Sequence, residues 1–325
     1  MPAVKEKNEL HSDKLLVEKS REIYETPLLD LISKAQEIHK SHHKLGEIQK
    51  STLLSIKTGA CKEDCAYCSQ SIHYKTGLKP EPLMEKEEVL KCANEAKKQG
   101  SSRFCMGLSG REIKDDKTFA RVLEMISEVK SLGLETCLTM GMTSEEQAIQ
   151  LKKAGLDYYN HNIDTSRNHY KKIISTRSFD QRLETIRNVR KAGMHVCTGG
   201  ILGLGETRQD RIEFVAELAA INPKPESLTI NRLVPIKGTP LENVKPIDDL
   251  EIVRTIATLR ILCPSSVIRL SAGRETMNQA MQTLCFLCGA NSIFSGEKLL
   301  TTSNQSLSTD QEMFEKIGLS SKKNS

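Results

Sequence analysis

The stretch Lys130-Ser131-Leu132-Gly133-Leu134-Glu135-Thr136-Cys137-Leu138-Thr139-Met140 joins a helix end, a reversal and a strand. Its lysine suits the negative end of a helix dipole, and its glycine supplies a left-handed cap. Residues 134–140 then alternate in side-chain character as a strand does. The same signals recur at Lys98-Gln99-Gly100, Lys153-Ala154-Gly155 and Lys191-Ala192-Gly193, followed by strand-like runs over 103–107, 156–162 and 194–199. Residues 53–57, 227–233, 267–271 and 290–294 are further strand candidates.

Strands alternating with helical patterns require right-handed crossovers and a parallel sheet. Strands in this number favour an α/β fold of the (βα)8 TIM-type barrel. A doubly wound open sheet is the alternative, because periodicity does not fix closure. The barrel is expected over residues 46–302, behind an N-terminal helical extension at 1–45 and ahead of a flexible C-terminal tail at 303–325. Thr26-Pro27 predicts a helix start, with Leu28, Leu31, Ile32 and Ala35 on one face, and the residues before about 20 read as loose. The tail reads as a surface helix with a frayed end.

Composition narrows the function. The chain has 325 residues with 47 Lys and Arg against 42 Asp and Glu, a net charge of +5. That modest balance, 4% aromatics and no tryptophan argue against nucleic-acid grooves and stacking platforms. No apolar run reaches membrane-spanning length. The N-terminus has neither a secretory apolar core nor the acid-poor character of a presequence, so a cytoplasmic location is expected. In that reducing compartment the 10 cysteines read as metal or cluster ligands, or as small buried hydrophobes, rather than disulfides.

Several strand candidates carry polar or sulfur residues on one parity: Arg103 and Cys105; Glu135, Cys137 and Thr139; Asn160, Asn162 and Asp164; His195 and Cys197; Arg269 and Ser271. Successive strand residues face opposite sides, so in a barrel these converge on the lumen towards its C-terminal mouth. The plainer reading makes each a satisfied polar group at a strand end.

The most specific local signal is Cys61-Lys62-Glu63-Asp64-Cys65-Ala66-Tyr67-Cys68. Three thiolates on one loop can hold a four-iron cluster and leave one iron without a protein ligand. Zinc is the alternative, with Cys65, Cys68 and His73 opening a knuckle, but the next ligand would fall near Leu78 and Cys61 would be unused. Cys92, Cys263, Cys285 and Cys288 sit at helical spacing with apolar neighbours and read as core, although Cys285 and Cys288 also have metal-like spacing. The run Gly199-Gly200-Ile201-Leu202-Gly203-Leu204-Gly205-Glu206 lacks both a strict dinucleotide fingerprint and a P-loop lysine, and its plain reading is a turn after the fifth strand.

The triplet, with an aromatic before its third cysteine, resembles the signature of the radical S-adenosylmethionine (SAM) superfamily. Arg103-Phe104-Cys105-Met106-Gly107, Leu134-Glu135-Thr136-Cys137, Tyr158-Tyr159-Asn160-His161-Asn162-Ile163-Asp164-Thr165, Val196-Cys197-Thr198-Gly199-Gly200 and Arg269-Leu270-Ser271-Ala272-Gly273-Arg274-Glu275 resemble one of its families, the biotin synthases, from about residue 45 to 302. The resemblance implies a [4Fe–4S] cluster on Cys61, Cys65 and Cys68, whose open iron chelates SAM. It implies a [2Fe–2S] cluster on Cys105, Cys137 and Cys197 with Arg269 as fourth ligand, a role that elementary chemistry does not suggest, because arginine is a donor without a lone pair. It places SAM against Tyr67, Asn162, Asp164, Arg182 and Ile201, and the ureido ring of dethiobiotin against Asn160 and Asn231. The implied reaction is sulfur insertion into dethiobiotin to give biotin, the last step of biotin biosynthesis, by a homodimer that takes electrons from flavodoxin or ferredoxin. The rival is another radical SAM enzyme with a single [4Fe–4S] cluster, which has no need of the strand cysteines. Cys288, where a small non-thiol residue is usual, and Leu108-Ser109-Gly110-Arg111 depart from the family pattern.

Overall fold

The computed structural model describes residues 14–322. Its strands are β1 (Glu47–Lys57), β2 (Arg103–Leu108), β3 (Glu135–Thr139), β4 (Tyr158–Asn160), β5 (His195–Leu202), β6 (Ser227–Arg232), β7 (Val267–Leu270), β8 (Ser292–Phe294) and β9 (Ser320–Ser321). Its helices are α1 (Lys14–Glu25), α2 (Leu28–His42), α3 (Lys86–Lys98), α4 (Asp116–Ser131), α5 (Glu145–Lys153), α6 (Arg167–Ile173), α7 (Phe179–Lys191), α8 (Arg208–Ala220), α9 (Asp249–Leu262), α10 (Gln279–Leu287) and α11 (Leu307–Ile317).

Strands β1 to β8 pair in parallel in chain order, and β1 also pairs with both β8 and β2, so the sheet closes into a barrel. The open-sheet alternative falls with that closure. Every expected strand is present. β1 starts earlier than its candidate, at Glu47, and β4 ends sooner, at Asn160. Gly100, Gly133, Gly155 and Gly193 all have positive φ, as the helix-end signals require. From α4 onward the α-helix starts are fixed by side-chain caps, with full capping boxes at Ser144–Gln147, Ser178–Gln181 and Thr207–Asp210.

The outward strand parity makes the core. Phe104, Met106, Leu138, Val196, Leu228, Ile230, Ile268, Leu270 and Ile293 are all buried beneath the surrounding helices. Each such side chain contributes about 1.5–3 kcal/mol, and the inward parity is thereby released for polar work.

Three expectations change. Residues 14–20 are helical rather than loose, because α1 packs on α8 and α9. Buried Tyr24 anchors it, its hydroxyl 3.0 Å from Thr255 Oγ1. Pro27, not Thr26, is the cap of α2, and the Thr26 hydroxyl instead donates to the Glu22 carbonyl. Arg103, Glu135 and His195 share the inward parity but are the first residues of their strands, so they lie at the floor of the barrel rather than at its mouth. Residues 1–13 and the frayed end at 323–325 lie outside the described residues. The helix expected in the tail is α11. It docks through Met313 and Phe314, and its Asp310 pairs with buried Arg274. The short β9 then pairs with the start of β1.

Candidate active site

The triplet loop follows β1 directly and is held by its own backbone. Cys61 N–H donates to the Gln70 carbonyl, Ile72 N–H to the Cys61 carbonyl and Cys68 N–H to the Cys65 carbonyl, each at 2.9 Å. Two carboxylates between the cysteines tie the loop to the segment joining α6 to α7. The Asp64 carboxylate accepts from Ser175 N–H at 2.9 Å and from Thr176 N–H at 3.1 Å. Burial works against its charge, yet these bonds and the hydroxyls beside it outweigh burial and hold its pKa at about 2. The Glu63 side chain is only 2% exposed and meets Arg111 Nη1 at 2.9 Å, Thr176 Oγ1 at 2.7 Å and Arg177 Nε at 3.6 Å. Neither carboxylate was assigned a role from the sequence, although both stand inside the motif.

Cys61 and Cys65 are buried, and Cys68 is half-buried. Burial pushes the Cys65 thiol to about 12 and the Cys68 thiol to about 11. Thiols so reluctant to ionise need a metal to displace their protons. Among the described residues no His, Cys, Asp or Glu group is drawn together as on one bare ion. A multi-iron cluster spreads its thiolates around a larger body than a single ion does, so this donor set of thiols on an adaptable loop fits a cluster.

Above the strand ends runs a polar girdle. Tyr67 Oη donates to Asp164 Oδ2 at 2.9 Å, and Arg182 Nη2 lies 2.6 Å from the same oxygen. Arg182 also donates to the Asn162 carbonyl and to Tyr170 Oη, each at 2.7 Å. Asn162 and Asp164 reach the cavity from beyond the end of β4, not by strand alternation. Asp164 takes a left-handed φ of 68° and its carbonyl accepts from Ile201 N–H at 2.8 Å. That crossing requires glycine: a Cβ at Gly200 would sit 2.2 Å from the Asp164 carbonyl oxygen. Gly199 and Gly200 therefore belong to β5, and the turn begins only at Gly203, whose N–H is 3.0 Å from the Glu206 carboxylate.

Asn160 donates to Thr139 Oγ1 at 2.9 Å, and its Oδ1 is buried without a partner among the described residues. Asn231 donates to the Gly200 carbonyl at 2.9 Å and accepts from Ala272 N–H at 3.1 Å, which fixes its amide while leaving one N–H and one lone pair.

One layer deeper, Cys105 and Cys137 are register partners on β2 and β3, while Cys197 on β5 faces Asn160. All three are at most 3% exposed. Burial opposes ionisation of Cys105, but the neighbouring Cys137 thiol, Arg269 and Arg103 outweigh it and lower its pKa, whereas Cys137 is pushed up by the neighbouring Cys105 thiol and by burial. Arg269 is pinned by Ser292 Oγ at 3.1 Å and Ser51 Oγ at 3.0 Å, its plane over Phe294, and its remaining Nη1 points to Cys197 Sγ at 3.9 Å. A dry wall of three thiols facing one guanidinium suits a second cluster. The two serines were missed because each carries an ordinary polar side chain on an alternating strand. Cys92 is half-buried, Cys263, Cys285 and Cys288 are fully buried, and Cys288 Sγ donates to the Val253 carbonyl at 3.6 Å, so helical periodicity accounts for their places.

Part of each sulfur set lines one cavity of about 300 Å³: Cys68 from the loop, and Cys105 and Cys137 from the strands, join Tyr67, Asn160, Asn162, Asp164, Ile201, Asn231 and Arg269, while Cys61, Cys65 and Cys197 lie behind its wall. Arg182 stands behind Asp164.

Residues 55–218 match the Radical SAM superfamily, and residues 229–320 match the Biotin and Thiamin Synthesis associated domain. The chain is 57% identical over 297 residues to a protein named biotin synthase from Legionella pneumophila (strain Corby), covering 91% of this chain and 94% of that one. It is 55% identical over 306 residues to another of that name from Acinetobacter baumannii, covering 94% and 93%. Among solved structures, methylornithine synthase (PylB) superposes with a TM-score of 0.79 at 18% identity, covering 94% of both chains. The FeFe-hydrogenase maturase HydG from Carboxydothermus hydrogenoformans gives 0.80 at 18%, covering 96% of this chain and 79% of that one. Those two show the barrel; the sequence relatives show that the chain belongs to the biotin synthase family of the radical SAM superfamily.

Proposed function

We propose that this enzyme inserts sulfur into dethiobiotin to form biotin, with its two cysteine sets holding iron–sulfur clusters of different task. Cys61, Cys65 and Cys68 are assigned a [4Fe–4S] cluster and SAM at the mouth. Cys105, Cys137, Cys197 and Arg269 are assigned a [2Fe–2S] cluster one layer down. When bound, these groups supply a carbon radical able to take hydrogen from unactivated carbon, and the sulfur atom. The observation that carries the reading is one cavity that Cys68 of the triplet, Cys105 and Cys137 of the strand set, Arg269 and the amides of Asn160 and Asn231 all line.

The chain's own residues orient and exclude water. The two recorded contacts of the Asp164 carboxylate fall on Oδ2, so Oδ1 is assigned to a ribose hydroxyl, beside Asn162. Arg182 fixes that carboxylate from behind, and Tyr67 and Ile201 flank the nucleoside. The unpartnered Oδ1 of Asn160 and the spare N–H of Asn231 face the ureido ring, a donor and acceptor pair for its N–H and carbonyl groups. We assign the catalytic barrel to residues 46–302, electron delivery to flavodoxin or ferredoxin, a cytoplasmic location and a homodimer. No described helix is long and apolar enough to cross a membrane.

The test is iron and acid-labile sulfide per chain with Mössbauer spectra after anaerobic reconstitution. About six irons, split between four-iron and two-iron signatures, support the proposal. About four irons with a single signature leave a single-cluster radical SAM enzyme and remove the assignment of the strand cysteines.

A further inference from the structure

The barrel floor is a second approach to the sulfur site. Arg103, Glu135, Tyr158 and His195 open β2, β3, β4 and β5, two residues below Cys105, Cys137, Asn160 and Cys197. Two residues of strand span about 7 Å, so one layer of side chains separates the strand thiols from the closed end. Two members of that layer also meet solvent. The Glu135 side chain is 42% exposed and that of His195 53%.

The floor is a chain of contacts. His195 packs on Tyr158 with ring centroids 5.0 Å apart, and Arg103 lies 3.4 Å over the Tyr158 ring. Arg103 Nε donates to Glu135 Oε2 at 3.0 Å. Gln49 bridges Glu135 to Ser292, and Ser292 holds Arg269, so hydrogen bonds run from the exposed floor to the sulfur site. Arg103 is itself 1% exposed, and its Nη1 has no hydrogen-bond partner among the described residues. The ion pair with Glu135 occupies Nε and Nη2, so the bare Nη1 is a buried donor that costs stability unless an acceptor visits it. The floor carboxylates do not oppose such a visitor: Glu135 is neutralised by Arg103, and Glu226, beside His195, by Arg190 at 2.6 Å.

At the other end the lumen is roofed. Ser69 Oγ donates to Thr301 Oγ1 at 2.9 Å, joining the triplet loop to residues 299–302, which also line the cavity. SAM and substrate would fill the space beneath. We infer that hydrosulfide reaches the strand-cysteine site through the barrel floor, with Arg103 receiving the anion and Tyr158 and His195 forming the plug it passes. The inference rests on the proposed sulfur-donating cluster, whose sulfide must be replaced, and it concerns delivery only, with no redox step.

The test uses the full chain after turnover has consumed the two-iron signal, with SAM and dethiobiotin kept bound. Sodium sulfide is titrated anaerobically with ferric citrate in excess, which supplies iron at the oxidation level of the cluster, and regrowth of the two-iron Mössbauer and visible signals is timed. His195→Trp is expected to slow regrowth about tenfold or more, and His195→Ala to speed it. Single-turnover biotin formation by fully loaded protein stays unchanged in both, since His195 touches none of the assigned ligands. Arg103→Gln should raise the sulfide concentration needed for half-maximal regrowth. Equal regrowth in the parent and both His195 variants overturns the floor route. So does regrowth in the parent that stops whenever SAM and dethiobiotin fill the mouth. If the parent never shows a two-iron signal, the two-cluster reading itself is overturned, and the route with it.

Discussion

The triplet Cys61, Cys65 and Cys68 comes from one loop, whereas Cys105, Cys137 and Cys197 come from three strands far apart in the chain. The loop's shape is local, built from backbone hydrogen bonds and two carboxylates braced against the segment after α6. The strand set has no local brace. Its members meet because the barrel closes and because parallel register puts Cys105 opposite Cys137. A loop can adjust its thiols to a cluster and leave one corner open for a ligand. A barrel wall offers fixed positions, deep and dry, suited to holding an atom until it is passed on.

The largest expected effect separates the two sets. Cys137→Ala should abolish sulfur insertion, by about a thousandfold or more (over 4 kcal/mol), while the four-iron signature and SAM cleavage persist. A variant making biotin at the parent rate sinks the strand-set assignment.

Glu63→Ala probes the loop from the other side. It strands the Arg111 and Arg177 guanidiniums around a buried position, at about 3 kcal/mol. Four-iron incorporation should fall and the two-iron signature survive. Equal loss of both signatures would show that the sets are not independent.

The N-terminal extension touches neither set. His39 and His43 stack at 5.1 Å in the N-terminal extension, and burial followed by the Arg260 charge holds both pKa values at about 4. Unfolded, each takes up a proton near pH 6.5 that the folded chain refuses, so the folded state is favoured least at low pH. Their contribution is complete above about pH 6.5 and is lost as pH falls towards about 4, by on the order of 1–3 kcal/mol. Denaturant midpoints at pH 7 and pH 5 should diverge less in His39→Gln than in the parent. Parallel behaviour would remove the histidines as the cause.

Ser292→Ala should have the smallest effect, about 1 kcal/mol. It frees one of the two serine contacts on Arg269. The two-iron Mössbauer parameters should shift with little change in melting temperature, and an unaltered spectrum would show that Ser51 alone orients the guanidinium.

Much of the fold was legible because it is written in local chemistry. Lysine–glycine helix ends and strand-like runs need only near neighbours, and together they located every barrel strand. The errors arose where a distant partner decides. Residues 14–20 look polar until α8 and α9 bury Tyr24. Parity put Arg103, Glu135 and His195 with the site residues, but parity fixes a side of the sheet and not a height along the barrel. The site shows the same division. Cysteine spacing identified the loop, while the strand set needed alternation and a family resemblance together. Ser51, Ser292 and Gln49 carry no signal of their own.

The sequence by itself determined the alternation of strands and helices, the face each strand turns inward and the thiol triplet, because these follow from steric and hydrogen-bonding preferences within a few residues. Only the tertiary structure decided that the sheet closes, which inward residues line the mouth and which seal the floor, and that Arg269 lies between two serines and Cys197. Closure depends on how strand twist and helix packing accumulate around the whole barrel, and no local stretch of chain encodes that sum.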